Sequence, residues 1–142
     1  QYRRLPQWHQ QRTENANTLR ELLEVIPGLR VPEPEPGLTH AYYRLYAYVD
    51  SACLLSGWNR DRIIGEVNRV SPLPISTGSS AEIYREFAFK QAGLAQAAPL
   101  PRASRACRES LAFVVHPGLK FADLGGVARS IASVMAAAVN AG

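Results

Sequence analysis

HAYYRLYAYVD, residues 40–50, is the run of this chain richest in tyrosine and valine. Aromatic and β-branched side chains suit the pleated, half-buried surface of a sheet, so the run predicts a strand over residues 40–50. Its apolar and aromatic positions are nearly continuous, and a period of two does not select one buried face. Toward the N-terminus, residues 33–37 alternate glutamate with proline before Gly37. Proline biases its neighbours to extended backbone, so this is a non-helical connection, with a short strand before it at residues 29–32. Residues 6–26 place Ala16, Leu19, Leu22, Leu23 and Ile26 at helical spacing, with Arg, Glu and Asn on the other face. Pro6 suits a first turn, which leaves residues 1–5 as the end of an earlier helix, and Pro27-Gly28 stops the run.

Beyond the central run, Asn59 caps a helix over residues 60–70 with Ile63, Ile64 and Val67 inward. Residues 73–75 form a short strand that Pro72 and Pro74 push to an edge. Residues 82–90 carry a helical pattern with Ile83, Phe87 and Tyr84 facing the core. A loop over 93–101, a helix over 102–110 and a strand over 111–115 follow, and His116-Pro117-Gly118 ends the strand. Leu124, Val127, Ile131, Val134 and Ala138 make a helical stripe, weakened at its start by Gly125-Gly126, at up to about 1 kcal/mol each relative to alanine. Helices alternating with a few short strands give an α+β domain, a small sheet covered by helices on one face, spanning residues 1–142 as one unit.

Composition narrows the functional classes. The chain has 142 residues, 46% apolar and 20% charged, and a core of useful size is within reach. No apolar run reaches the roughly 18 residues of a membrane span, so no membrane partner is expected. The net charge of +4 comes from dispersed arginines, with lysine only at Lys90 and Lys120. Dispersed charge without interleaved aromatics argues against nucleic acid as a partner, although Arg102, Arg105 and Arg108 share helical spacing that could attract an anion. Cys53 and Cys107 lie far apart without a Cys/His cluster. They read as buried free thiols, in keeping with a cytoplasmic location, and no metal set is present.

Recognisable chemical signatures are few: no Walker loop, no zinc-protease helix, no nucleophile elbow. His116 precedes Pro-Gly and reads as a turn residue. His40 begins the tyrosine-rich run, where strand ends often line sites. Tyr42, Tyr43, Tyr46 and Tyr48 read as packing groups with a wet hydroxyl end. TGSSAEIYREFAF, residues 77–89, has two readings. Gly78 lets backbone approach a ligand and Ser79 and Ser80 offer short polar contacts. Equally, Ser79 or Ser80 caps a helix starting near Glu82.

Four stretches together resemble one family. LPQWHQQRTENA (residues 5–16), IPGLRVPEPEPGLTHAYYRLYAYVD (26–50), TGSSAEIYREFAF (77–89) and LPRASRACRESLAFVVHPGL (100–119) are similar, in order, to the C-terminal small domain of DegT/DnrJ/StrS-type sugar aminotransferases. The resemblance implies an enzyme that uses pyridoxal phosphate and moves an amino group to a keto sugar on a nucleotide. It also implies an upstream cofactor domain that carries the Schiff-base lysine, and a homodimer. Neither Lys90 nor Lys120 falls in the family's catalytic motif, so no cofactor is expected on this chain alone. The corresponding family loop lies on the substrate side of the cleft, which makes Gly78, Ser79, Ser80, Glu82 and Tyr84, with His40, the candidate substrate-side residues. Ser80 stands where this branch often has cysteine, Ala81 where it often has serine, and Lys120 where a small hydroxyl usually caps the last helix. The rival expectation is a non-catalytic assembly or ligand-binding module that retains the small-domain fold.

Overall fold

The structure, a computed structural model, describes residues 2–78, 80, 82–95 and 98–139. Its centre is a four-stranded antiparallel sheet made of β1 (Leu29–Arg30), β2 (Leu45–Val49), β3 (Ile75–Thr77) and β4 (Ser110–Phe113), in the order β1-β2-β4-β3. β2 alternates strictly: Leu45, Ala47 and Val49 are buried, and Tyr46 and Tyr48 are half-buried. Leu45 pairs with Phe113 and Ala47 with Leu111, which puts four apolar side chains on one face. Against that face lie α1 (Leu5–Glu24), α2 (Arg60–Val70) and α5 (Phe121–Ala138), through Ala16, Leu19, Leu23, Ile63, Val67, Leu124, Val127 and Ile131. The sheet therefore carries its main helical layer on one side, as the alternation of elements implies. α4 (Pro101–Glu109) runs into β4, and its Arg102 and Arg105 share a cleft with Arg30 and Tyr48.

Local chemistry sets several element ends. The Asn59 carboxamide oxygen accepts from the Arg62 amide at 2.9 Å, so α2 starts where the cap residue places it. Lys120 cannot cap α5 with a hydroxyl, but the Asp123 carboxylate accepts from the Lys120 amide at 2.8 Å and secures that start. Edge strand β3 is shielded by Asn68, whose amide group donates to the Ile75 carbonyl at 2.9 Å and accepts from the Ile75 amide at 2.8 Å. Asn15 reaches across from α1 to donate to the His116 carbonyl at 2.9 Å, and the Gly118 amide donates to His116 Nδ1 at 3.2 Å, which makes His116 a turn residue. α5 is long and apolar enough to cross a membrane by length and composition, but Leu124, Val127, Ile131 and Met135 pack it into the core as a buried helix.

Several sequence expectations shift. The strand of residues 40–50 is confined to Leu45–Val49, because Tyr42 has a φ of 46°, a left-handed backbone that no strand accommodates. The strands at 73–75 and 111–115 are observed at Ile75–Thr77 and Ser110–Phe113. Tyr2–Arg4 forms a single 3₁₀ turn that runs directly into α1, and Leu5 belongs to α1. Residues 82–90 break into a 3₁₀ turn, Ile83–Arg85, and the short α3, Phe87–Gln91. Ile83 and Phe87, at 59% and 72% exposure, face solvent instead of the core. Cys53 is exposed and Cys107 half-buried, both free, so the thiols are not buried as expected.

Gly28 fixes the turn between α1 and β1. Its φ is +79°, and an added Cβ would lie 2.8 Å from Val139 Cγ1 and 2.9 Å from Met135 Cε. Gly28→Ala combines a disfavoured backbone with overpacking and is expected to cost at least roughly 2 kcal/mol in urea unfolding. Asn59→Ala removes one cap and is expected to cost about 1 kcal/mol. An equal or smaller loss for Gly28→Ala would contradict this packing.

Candidate functional site

The second face of the sheet carries the candidate chemistry. Arg30 pairs with Tyr48 across β1 and β2, and its guanidinium carbon sits 4.6 Å over the tyrosine ring. Between β2 and the proline-rich connection lies an open cleft of about 230 Å³, lined by His40, Tyr42, Arg44, Tyr46 and Tyr48 together with Glu33. His40 Nδ1 accepts from the Tyr42 amide at 3.0 Å, which leaves Nε2 as the protonated nitrogen of the neutral ring. The two rings stand 4.5 Å apart, and His9 Nε2 donates to the His40 carbonyl at 3.2 Å. The left-handed backbone of Tyr42 costs about 1–2 kcal/mol, and it turns a buried tyrosine under the cleft floor. Such strain concentrates where a side chain must be aimed.

Gly78 lies across the sheet from this cleft and touches its wall. Its amide donates to the Ser110 carbonyl at 3.4 Å, and a Cβ here would lie 2.7 Å from Ser110 Cβ and 3.5 Å from Tyr46 Cε1. Only glycine lets the loop backbone settle against Ser110 and beside Tyr46. Ser80 donates its hydroxyl to Glu86 Oε1 at 3.3 Å and does not cap the turn after it, which has no side-chain cap. Ser79 lies outside the described residues.

Glu82 and Tyr84 meet at the foot of the excursion between β3 and α4. The Tyr84 hydroxyl donates to Glu82 Oε1 at 2.6 Å, the Leu100 amide donates to the Tyr84 oxygen at 3.1 Å, and Arg85 Nη1 donates to Glu82 Oε2 at 3.2 Å. The Glu82 side chain is only 11% exposed. The Tyr84 hydroxyl first, with Arg85 beside it, holds its carboxyl down to about 2, from an ordinary value of 4.5. The same contact with Glu82 raises the Tyr84 hydroxyl. Among the described residues no hydrogen bond joins His40 to this pair, so the structure groups the candidates into a His40 cleft, the Gly78 contact on Tyr46, and a Glu82–Tyr84 clasp. Arg44 and the Arg30–Tyr48 stack also line this face, and the sequence singled out neither arginine. The sequence signal for Arg44 was its place between tyrosines in the aromatic run, whereas Arg30 meets Tyr48 only through strand register. Lys90 and Lys120 are exposed and neither lines this cleft, and the described residues contain no cluster suited to a metal.

Because the folded carboxyl of Glu82 titrates below its unfolded value, the clasp contributes its full stability above about pH 4.5 and loses it as pH falls toward about 2. Glu82→Gln is therefore expected to lower the urea midpoint at pH 6, and the difference from the parent chain should shrink steadily from pH 4.5 to pH 2. A gap that stays constant over that range would show that ionised Glu82 is not the stabilising species.

The chain matches the model of the DegT/DnrJ/EryC1/StrS aminotransferase family over residues 1–132. Comparison with curated proteins gives no match. An aminotransferase from Psychrobacter cryohalolentis superposes with a TM-score of 0.86 at 38% identity, over 95% of this chain and 36% of that one. The aminotransferase TlmJ from Streptoalloteichus hindustanus gives 0.78 at 26% identity, over 95% and 34%. Helicobacter pylori PseC, an aminotransferase involved in the biosynthesis of pseudoaminic acid, shares the fold at 0.80 with 16% identity, over 96% and 35%. The chain thus spans about a third of the length of the solved structures it matches. Ordered motifs, matched residues and superposed fold agree: this chain belongs to the DegT/DnrJ/EryC1/StrS aminotransferase family.

Proposed function

We propose that this chain is the C-terminal small domain of a sugar aminotransferase and forms one wall of its substrate cleft. The observation that carries this reading is the near-complete match of the chain to about a third of an aminotransferase at 38% identity. Pyridoxal phosphate would supply the electron sink for amino transfer in the whole enzyme. The residues here do not fit a cofactor site of their own: Lys90 and Lys120 stand on the surface, away from the His40 cleft. We therefore assign the Schiff-base lysine to an upstream cofactor domain and give this chain no chemical step.

Its own contribution is binding and orientation. His40 offers a fixed Nε2–H donor beside Arg44, suited to the oxygens of a nucleotide-linked sugar. Gly78 and Ser80 are the second substrate-side segment, to which the resemblance adds Ser79. Glu82 and Tyr84 complete it at the foot of the loop. The exposed Ile83, Phe87 and Leu94 suit contact with the cofactor domain or with a second subunit of a homodimer, in a cytoplasmic enzyme.

The test has two parts. The coding sequence upstream of Gln1 should encode a cofactor domain with its lysine. The full-length protein should aminate a nucleotide keto-sugar with glutamate as donor, and His40→Ala should lower kcat/KM about tenfold or more, the loss of one charge-assisted or well-aligned hydrogen bond. A coding sequence without such a domain would sink the reading. In that case, saturable nucleotide-sugar binding by this chain alone would favour the ligand-binding module.

A further inference from the structure

We infer that the cleft between β1, β2 and α4 is an anion site for a phosphate-bearing small molecule, held by Arg30, Arg102 and Arg105. These three side chains line one depression together with Tyr48 and Glu109. Arg102 and Arg105 are three residues apart on α4, so both project from one face of that helix. Arg30 comes from β1 on the opposite wall.

Three arginines line a cleft whose lining holds one carboxylate, and that carboxylate is already committed. Glu109 is buried, accepts from Arg105 Nε at 3.0 and 3.1 Å, and accepts from the Ser51 hydroxyl at 2.8 Å. The pair fixes Arg105 through Nε and leaves its terminal nitrogens without a described bond. Arg30 is steadied on the Tyr48 ring. Among the described residues neither Arg30 nor Arg102 has a carboxylate partner within salt-bridge distance. The nearby Asp50 is held by the Ala52 amide and the Cys53 thiol, and it does not line the cleft. Like charges lining one cleft repel one another, and a dianion between them removes that cost while matching the planar fork of each guanidinium.

Two features argue for phosphate over a nucleic-acid surface. The cationic residues line a depression and do not form a stripe, and Arg108, the third arginine of the α4 series, does not line the cleft. Arg30 and Arg105 are also orientated before any ligand arrives, which lowers the ordering cost of binding. The inference goes beyond the aminotransferase reading and does not rest on it, since its test reads binding and not amino transfer.

The full chain is titrated with sodium pyrophosphate, and separately with inorganic phosphate, at low ionic strength and followed by two-dimensional amide NMR. Saturable shifts are expected at the amides of Tyr48, Arg102 and Arg105 with either probe. Arg30→Ala and Arg102→Ala should each weaken pyrophosphate binding about tenfold, while Arg3→Ala, on the exposed N-terminal turn, should leave it unchanged. Retained amide dispersion in each variant shows that the fold is intact. Three results overturn the assignment: no saturable shift at about 10 mM probe, an affinity equal to that for chloride, or an equal loss in Arg3→Ala. A polynucleotide that binds more tightly than pyrophosphate through the same two arginines would also overturn it, by assigning the cleft to nucleic acid.

Discussion

The pairing of β2 with β4 is the constraint on which the rest depends. These strands are joined by roughly sixty residues of intervening chain, yet their four-residue register places Leu45 on Phe113 and Ala47 on Leu111. Every residue of β4 is buried, because helices cover one of its faces and Tyr46, Gly78 and α4 crowd the other. Closing such a long loop is entropically costly, and it is repaid only when the three long helices bury the apolar face. The core stripe of α5 is therefore a condition for the sheet, and the sheet in turn positions everything on its far face.

That far face inherits its order from the junction between α4 and β4. Arg60 is largely buried and donates at 3.0 Å to both the Cys107 and Ser110 carbonyls, which satisfies the open C-terminal end of α4. Glu109 joins the same junction to Ser51 after β2. A buried charge is tolerable only with partners on all sides, and here each partner belongs to a different segment. The junction consequently fixes the angle of α4 over Tyr48 and with it the position of Arg102 and Arg105. At the other end of α4, the Leu100 amide is held by Tyr84, so the helix is tied at both ends by polar contacts and little by apolar burial.

What the sequence revealed follows from how local each signal is. Asn59 caps within three residues, so α2 was legible to the residue. The stripes of α1 and α5 sit on the buried face, because long amphipathic runs have only one large core to meet. The run of residues 82–90 has a similar spacing, but Ile83 and Phe87 point outward, since periodicity reports that a face is apolar and not what covers it. The break at Tyr42 was illegible: no glycine or asparagine marks a left-handed backbone there, and its support comes from His40 and burial of its own ring. The Arg30–Tyr48 stack was hidden for another reason, since it depends on a strand register set by residues far away in the sequence.

The candidate site divides along the same line. Gly78 stood out by residue type as a place for close backbone approach, and in the fold the close neighbour is Ser110, which occupies the space a side chain would need. Charge was legible only in part: the helical spacing of Arg102 and Arg105 showed in the sequence, but Arg30 opposite them and the absence of Arg108 from the cleft did not, because an arginine in sequence carries no record of its partners. Arg60 is spent on carbonyls and Arg105 is anchored by Glu109 through Nε alone, so Arg30, Arg102 and the terminal nitrogens of Arg105 are left to an open cleft. A chain with dispersed arginines thus presents a concentrated positive site on one face only after folding has cancelled some of those charges and gathered the others. The sign of that face follows from which guanidinium groups the α4–β4 junction consumes.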